Sequence, residues 1–530
     1  MAVWHNKAKV FSVLIFEILT TLVIWQGFFS SLAFSQSLRK NSLAVNTIQI
    51  SGNTIFSDSE LLDLVPEEIN SLQDLELIQQ KINNHYIHNG YVGSGSLIPP
   101  QEIGDGSLEI VVVESTLDSI EIKGADGLKE KFIRSQLPSE GEPLNVNEVI
   151  RALSGLEKNV LVGSIRGEVV SKGPGKNALL IDLKENNPAD VSLDFSDSFS
   201  PSIGGLGGTA QFAHNNLLGF QDKFTFARSQ AEGLGSTALS YSVLVNSNLG
   251  RLNFRFSDAN SEIVEDSVAN FDIQGDFRSL SLDFLQPILK TNNDELTLGI
   301  VFQHIDSETF ILDDFSFAFV EGLDDGESSI STIQFLQNYR RRGSKTSLSF
   351  NSQFNVGVDI FDATVTNEGI DGLFWSWQGN GQYLLSLDRE QNVVANLWLQ
   401  TQLSPDKLLP AEQLSLGGTG TVRGYRRNLV VADNGVIVGG EIALALIKDN
   451  QWGNLSLIPF LDVGTVWNND RETTGSNFFL SSGIGWRYNL RNFLEIRFDY
   501  AIPLVEASGF GGTETVDNFN FAVLVQPFSF

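Results

Sequence analysis

The chain has 530 residues, 64 acidic against 35 basic side chains for a formal net charge of -29, and no cysteine. So acidic a balance argues against a nucleic-acid partner, whose phosphates demand a basic surface. The missing cysteines exclude disulfides and thiolate metal sites, and the length suits two or three domains.

Lys7 and Lys9 precede an apolar stretch from Val10 to Phe29, and Ala33-Phe34-Ser35 then offers the small residues of a cleavage site. Residues 1–35 are therefore predicted to be a signal peptide, with a short N-terminal segment at 36–44. No later stretch reaches the roughly 18 apolar residues of a spanning helix. Export without a spanning helix still leaves room for a membrane protein. A transmembrane barrel alternates lipid-facing and lumen-facing side chains, so its mean hydropathy looks soluble.

From Val45 to Asn187 a pattern recurs. Ile48-Gln49-Ile50-Ser51-Gly52 reads as a strand and a turn, and helices follow at Ser57–Leu64 and Leu72–His88. In the second helix Leu72, Leu75, Ile78 and Ile82 recur at helical spacing, and Asn89-Gly90 supplies its stop. Strands follow near Val92–Ile98 and Ser107–Glu114. Ile120-Glu121-Ile122-Lys123-Gly124 restarts the order. Helices near Leu128–Leu137 and Asn145–Asn159 come next, then strands near Ser164–Ser171 and Ala178–Glu185. Two strand-helix-helix-strand-strand units are the plainest reading, at 45–115 and 116–187.

After Pro188 helical periodicity disappears. Leu494-Glu495-Ile496-Arg497-Phe498-Asp499-Tyr500 alternates strictly, and Leu280–Phe284 and Leu348–Asn351 do the same. Acidic, turn-rich stretches separate such runs, as at Glu321–Glu327. At roughly 20 residues per strand and loop, the segment 188–530 accommodates about 16 transmembrane strands. Exposed aromatics such as Phe374, Trp375 and Trp377, and the aromatic finish Phe528-Ser529-Phe530, favour this over a soluble sandwich.

Within that segment Leu416–Asn428 carries three glycines ahead of Val422-Arg423-Gly424-Tyr425. Glycine permits tight turns and close approach, and arginine offers a rigid fork of donors suited to a carboxylate. Further on, alternation in Val436–Leu444 turns Glu441 toward the lumen. In Phe460-Leu461-Asp462-Val463-Gly464 it turns Phe460, Asp462 and Gly464 inward. Asp462 is expected to receive Arg423, with Gly464 making room.

These residues carry a resemblance. Val422-Arg423-Gly424-Tyr425 resembles the lumenal-loop motif of the BamA-like superfamily, and Phe460-x-Asp462-x-Gly464 resembles the wall motif that receives it. The tandem repeat looks like two POTRA domains. In the first, Gly90-Tyr91-Val92, Leu97-Ile98-Pro99-Pro100-Gln101, Asp105-Gly106 and Val112-Val113-Glu114 are similar to the signature of two-partner-secretion outer-membrane transporters of the TpsB, ShlB/FhaC type. The resemblance implies a transmembrane β-barrel of about 16 antiparallel strands preceded by two periplasmic α+β POTRA domains. It also implies export of a large unfolded exoprotein of the TpsA type, an adhesin or haemolysin. Substrate recognition falls to the POTRA units, where Gly90, Tyr91, Leu97, Pro99, Pro100 and Gln101 are marked out. Some members carry a plug helix and linker before the first unit; Gln36 to Val45 is too short for both. An assembly insertase of the same superfamily is the alternative, separable because its depletion would remove outer-membrane barrels generally.

Enzyme and cofactor signatures are not apparent. No phosphate-binding Gly-x-x-x-x-Gly-Lys run or Gly-x-Ser-x-Gly elbow occurs. His85 and His88 read as solvated helix positions without an acidic partner. Acidic pairs such as Asp313-Asp314 lack calcium-loop spacing, and Arg340-Arg341-Arg342 reads as a rim feature. The expected partners are the exoprotein and outer-membrane lipid, with no nucleic acid, no cofactor and no metal, for a chain acting as a monomer.

Overall fold

The computed structural model describes residues 45–527, apart from 67, 104–105, 267, 313–314, 320–322, 324–325, 367–369, 450, 474 and 511–514. The signal peptide, the segment 36–44, Asp105, Asp313-Asp314, most of the Glu321–Glu327 stretch and Phe528-Ser529-Phe530 therefore lie outside the described residues. The chain forms two compact units that divide between Asn186 and Asn187.

In the first unit, strand Thr47–Ser51 leads into helices Asp58–Leu62 and Leu72–His88, then strands Gly95–Leu97 and Ser107–Val113. Ser71 and Asp74 form a reciprocal capping box that starts the long helix. Its Leu75, Ile78, Ile82 and Tyr86 share one face and are buried against Leu108, Ile110 and Val112 of the central strand. Full burial of each such aliphatic side chain contributes about 1.5–3 kcal/mol. The central strand pairs in parallel with Thr47–Ser51 and antiparallel with Gly95–Leu97.

Glu114, just beyond that central strand, gathers donors from the turn after the first strand and from the long helix. It accepts the backbone N–H groups of Thr54 and Ile55 at 2.8 and 2.9 Å, the Thr54 hydroxyl, and the Tyr86 hydroxyl at 2.8 Å. Burial pushes the Glu114 carboxyl up, but these hydrogen bonds outweigh it and hold it below its ordinary value of 4.5. A carboxyl depressed on folding stabilises the unit above that value, and the contribution is lost as pH falls through the lower, folded value. Glu114→Gln should therefore flatten the loss of stability of this unit below about pH 4.5, read by thermal melts against pH. An unchanged acid limb would show that Glu114 is not a linkage site.

The second copy repeats the order with strand Thr116–Lys123, helices Glu130–Ser135 and Val146–Glu157, and strands Val162–Gly173 and Lys176–Glu185. Lys176–Glu185 is central, and Val162–Gly173 lies at one edge for 12 residues. The two copies are tied to each other at Gly90. Its carbonyl accepts the Val146 N–H at 2.9 Å, while Asn145 Nδ2 donates to the Asn89 carbonyl at 3.0 Å.

Among the described residues, the second unit is a closed barrel of 16 antiparallel strands, from Ala189–Ser196 to Phe519–Val525, with those first and last strands paired. Alternation decides the two faces. Along Leu494–Pro503, Ile496, Phe498 and Ile502 are exposed on the outside, while Asp499 and Ala501 are buried on the inside. One end has tight connections such as residues 291–293 and 343–345; the other has long ones, including 404–433 and 504–518.

Two sequence expectations need correction. Phe374 is not an exposed aromatic: it faces inward and is buried with Ile305, Ile330, Leu408 and Leu409, because the long 404–433 loop folds back and covers it. Trp375, one position on, is 48% exposed on the outer face. His85 does have an acidic partner, since Glu60 of the preceding helix lies 3.3 Å away. That contact depends on how two helices pack, which their spacing along the chain does not reveal.

Candidate functional site: the loop docked on the barrel wall

The 404–433 connection turns into the barrel and forms structure of its own. Leu414–Leu416 pairs with Val430–Ala432, closing the base of a hairpin whose tip is 417–429. Gly417 and Gly418 adopt φ of +119° and +90°, where only glycine is comfortable. A Cβ at Gly417 would stand 2.1 Å from the Arg426 carbonyl oxygen. The hairpin has an apolar underside: Leu414, Leu416, Val422, Tyr425 and Val430 pack against Ile437, Val466 and Phe479 of the wall. This burial is why the loop leans on the strands Asn434–Asp449, Gly453–Trp467 and Phe478–Leu490 rather than standing in solvent.

At its root Asp433, fully buried, accepts from Leu408 N, Gln413 Nε2 and Asn469 N at 3.0 Å each and from Arg471 Nη2 at 2.6 Å. A carboxylate with four donors costs little to bury. It fixes where the loop enters the lumen.

Arg423 sits at the tip and is 2% exposed; Asp462 is 0% exposed. Nε donates to one Asp462 oxygen at 2.7 Å and Nη2 to the other at 2.8 Å, the forked geometry of the strongest arginine-carboxylate pairs. The Arg423 backbone N–H adds a bond to Asp462 at 3.3 Å, and Nη1 reaches Glu441 at 3.3 Å. The guanidinium carbon lies 3.5 Å from the Phe460 ring centroid, a cation-π contact in a desolvated place. Phe460, Asp462 and Glu441 thus surround one cation from three sides.

Glycines make the approach possible. A Cβ at Gly464 would meet Leu416 Cδ1 at 2.6 Å and Val422 Cγ2 at 2.9 Å. Gly424 has φ of +90°, and a Cβ there would press on Ala501 and Pro503 at 3.1–3.3 Å. Gly424-Tyr425 pairs as a short strand with Val516-Asp517. The Tyr425 hydroxyl donates to the Val505 carbonyl at 2.7 Å and lies 2.9 Å from the Leu480 carbonyl, and its ring stands edge-on to Phe479 at 5.1 Å.

The structure therefore brings Val422, Arg423, Gly424, Tyr425, Glu441, Phe460, Asp462 and Gly464 into one cluster. The residues marked out in the first α+β copy are dispersed. Gly90, with φ of +94°, ends the long helix at the joint between copies, and Tyr91 stacks edge-on with Phe56 and Tyr86. Leu97 is 41% exposed. The Gln101 amide donates to the Pro99 and Glu109 carbonyls and accepts the Glu109 N–H at 2.8 Å, extending the sheet where Pro99 and Pro100 have no N–H to offer. Arg340-Arg341-Arg342 ends the strand Glu327–Arg342, with Arg341 Nε 3.8 Å from Asp294.

A 16-stranded barrel with an arginine-tipped loop on its inner wall, after two α+β units, defines the class as an outer-membrane barrel of the kind BamA also adopts, and the family match narrows it to a transporter of the two-partner-secretion type. The family described as haemolysin secretion/activation protein ShlB/FhaC/HecB matches residues 175–488, and the ShlB-type POTRA domain matches 43–115. The chain belongs to the ShlB/FhaC/HecB family.

Among similar proteins, the outer membrane transporter CdiB of Escherichia coli O6:K15:H31 (strain 536 / UPEC) is 24% identical over 484 residues, covering 87% of this chain and 79% of the relative. The heme/hemopexin transporter protein HuxB of Haemophilus influenzae (strain 86-028NP) is 22% identical, covering 72% and 67%. The solved structure of CdiB from Escherichia coli superposes with a TM-score of 0.69 at 19% identity, covering 94% and 93%. BamA from Haemophilus ducreyi lacking POTRA domains 1-3 reaches 0.59 at 15% identity, covering 91% and 100%. These structural likenesses establish the fold. The POTRA units are periplasmic in this family, so the tight turns face the periplasm and the long connections the exterior.

Proposed function

We propose that this transporter carries a large, unfolded exoprotein through its barrel, and that the Arg423-tipped loop must be held on the Asp462 wall for the passage to work. The observation that carries this reading is the forked Arg423–Asp462 pair, sealed from solvent inside the lumen. An isolated buried pair is weak evidence for stability, because desolvating both charges offsets their attraction. Its value is placement. Removing one partner leaves the other charged and buried, so the pair makes the docked position of the loop far better than any nearby alternative.

Recognition is assigned to the POTRA units by strand addition. An extended segment of the exoprotein would pair along a free sheet edge, with backbone hydrogen bonds supplying affinity and alternate side chains supplying selectivity. Val162–Gly173 offers the longest such edge in the first unit, at 12 residues. In the first copy the corresponding edge is shorter, and its continuation is occupied by Pro99, Pro100 and the Gln101 amide. The exoprotein class is of the adhesin or haemolysin kind, the chain acts as one copy in the lipid, and no catalytic step is needed.

Co-expression with candidate exoproteins, followed by assay of the medium, tests the reading: one exoprotein should appear outside only when this chain is present. The edge has its own test. Val169 and Val170 direct their N–H groups to opposite sides of the strand, so proline at one breaks the ladder to Lys176–Glu185 and proline at the other blanks only the open edge. The variant that keeps its thermal stability should lose most secretion. If both prolines leave secretion normal, strand addition at this edge is wrong.

A further inference from the structure

Arg426, three residues beyond the docked arginine, is 9% exposed and has no role in the wall contact. Its Nη1 and Nη2 meet the two oxygens of Glu265 at 3.0 and 2.5 Å, a second forked pair, and Nη2 also reaches Ser202 Oγ at 3.3 Å. Glu265 lies in the connection between strands Arg251–Glu262 and Gln274–Lys290, and Ser202 in the one after the first barrel strand. These two exterior connections are themselves joined, since Val264 N donates to the Ser202 carbonyl at 2.9 Å. Around the ring the Glu265 connection lies nearly opposite the strands that carry Glu441 and Asp462. The short segment from Arg423 to Arg426 thus has its guanidiniums held by carboxylates from two distant sectors of the barrel. Between them Gly424-Tyr425 is extended and paired, and Arg426 N donates to the Thr515 carbonyl at 3.0 Å.

We propose that Arg426 and Glu265 form a second anchor of the lumenal loop, so that the tip is a crossbar tied to the wall at Arg423 and to the exterior connections at Arg426. Arg426 is a positioning residue: it acts by setting where the loop tip and the 202–265 connections stand at the exit, not by meeting the exoprotein. Each end limits the motion that the other leaves open. The Asp462 end, with the Tyr425 and Thr515 contacts beside it, holds the tip to one side of the barrel, and the Glu265 end ties it to the other side as well. Geometry also separates this contact from an ordinary surface ion pair, which contributes little because both side chains stay hydrated and mobile. Here the cation is nearly sealed and the fork is satisfied at both oxygens. This inference rests on the reading that a held loop is what secretion requires.

Charge exchange tests it. Arg426→Glu and Glu265→Arg should each lower exoprotein release about tenfold, by setting like charges against each other, and the double exchange should restore it to within about threefold, the coupling expected of a direct pair. Folding is checked in the same samples by the electrophoretic mobility of the unheated barrel. Glu265→Gln, which keeps the shape and one acceptor oxygen, should fall between wild type and Glu265→Arg. Release in the double exchange no better than in the singles, with the barrel folded, would overturn the pairing. So would normal release by both single variants. Arg423→Ala run alongside keeps the two readings apart. If it secretes normally, the held-loop reading itself falls; if it fails while the Arg426 and Glu265 singles secrete normally, only the second anchor falls.

Discussion

Arg423→Ala should cut exoprotein release by at least about tenfold while the barrel still inserts and resists heating. The substitution removes the cation that Asp462 and Glu441 share, and it leaves both acids on the inner wall beside an apolar Phe460. Breaking a buried pair on one side costs about 3–5 kcal/mol. At 1.4 kcal/mol per factor of ten, the docked position loses about two to three and a half orders of magnitude against undocked ones. The barrel is spared because its stability lies in the closed ladder of strands and the lipid-facing side chains, neither of which includes Arg423. Wild-type release by a folded Arg423→Ala protein would remove the loop from the mechanism.

Gly424→Val is expected to disable secretion nearly as strongly, although no charge changes. Two penalties add at this position. A φ of +90° is open to glycine and strained for a β-branched residue, at a cost of about 1–3 kcal/mol. The new Cβ would also press on Ala501 and Pro503, whose backbone belongs to a barrel strand and cannot retreat. The loop tip must yield instead, which pulls the neighbouring Arg423 fork off Asp462. Gly424→Ala should do the same more mildly, so release should fall in the order glycine, alanine, valine. Equal release by all three would show that the tip does not need this close approach.

What could be read beforehand follows from which forces are local. Alternation along Leu494–Ile502 is imposed by lipid on one side and water on the other, so the barrel faces are written residue by residue. The long helix of the first unit is equally legible, with its capping box at Ser71 and Asp74 and its buried Leu75, Ile78 and Ile82. Alternation also turns Glu441, Phe460 and Asp462 toward the lumen with Asp462 as the expected receiver of Arg423, while the contacts of Arg423 with Glu441 and the Phe460 ring come from the structure alone.

Other features depend on neighbours far apart in the chain. Phe374 sits on the inner face with Leu408 and Leu409 over it, a contact that exists only because the loop folds back. Asp433 collects Leu408, Gln413, Asn469 and Arg471, and nothing in its immediate sequence separates it from other loop acids. Arg426 and Glu265 are 161 positions apart and meet because the barrel closes, so their pairing has no local signature. Glu114 is visible as a strand end, while its four donors come from residues 28 to 60 positions earlier in the chain.

The claim at the centre is that Arg423 serves to hold the loop, and a covalent substitute tests it most directly. The chain contains no cysteine, so an introduced pair has no competitors. Val422 Cγ2 lies 2.9 Å and Leu416 Cδ1 2.6 Å from where a Gly464 Cβ would be; replacing Val422 vacates the first space, and at the second only the far end of the Leu416 side chain has to turn aside. Cysteines at 422 and 464 then stand close to the ~3.5–4.5 Å Cβ separation a disulfide needs. In an Arg423→Ala background carrying Val422→Cys and Gly464→Cys, oxidation should restore exoprotein release and a reductant should abolish it again. A disulfide that forms fully yet leaves release at the Arg423→Ala level would contradict the account.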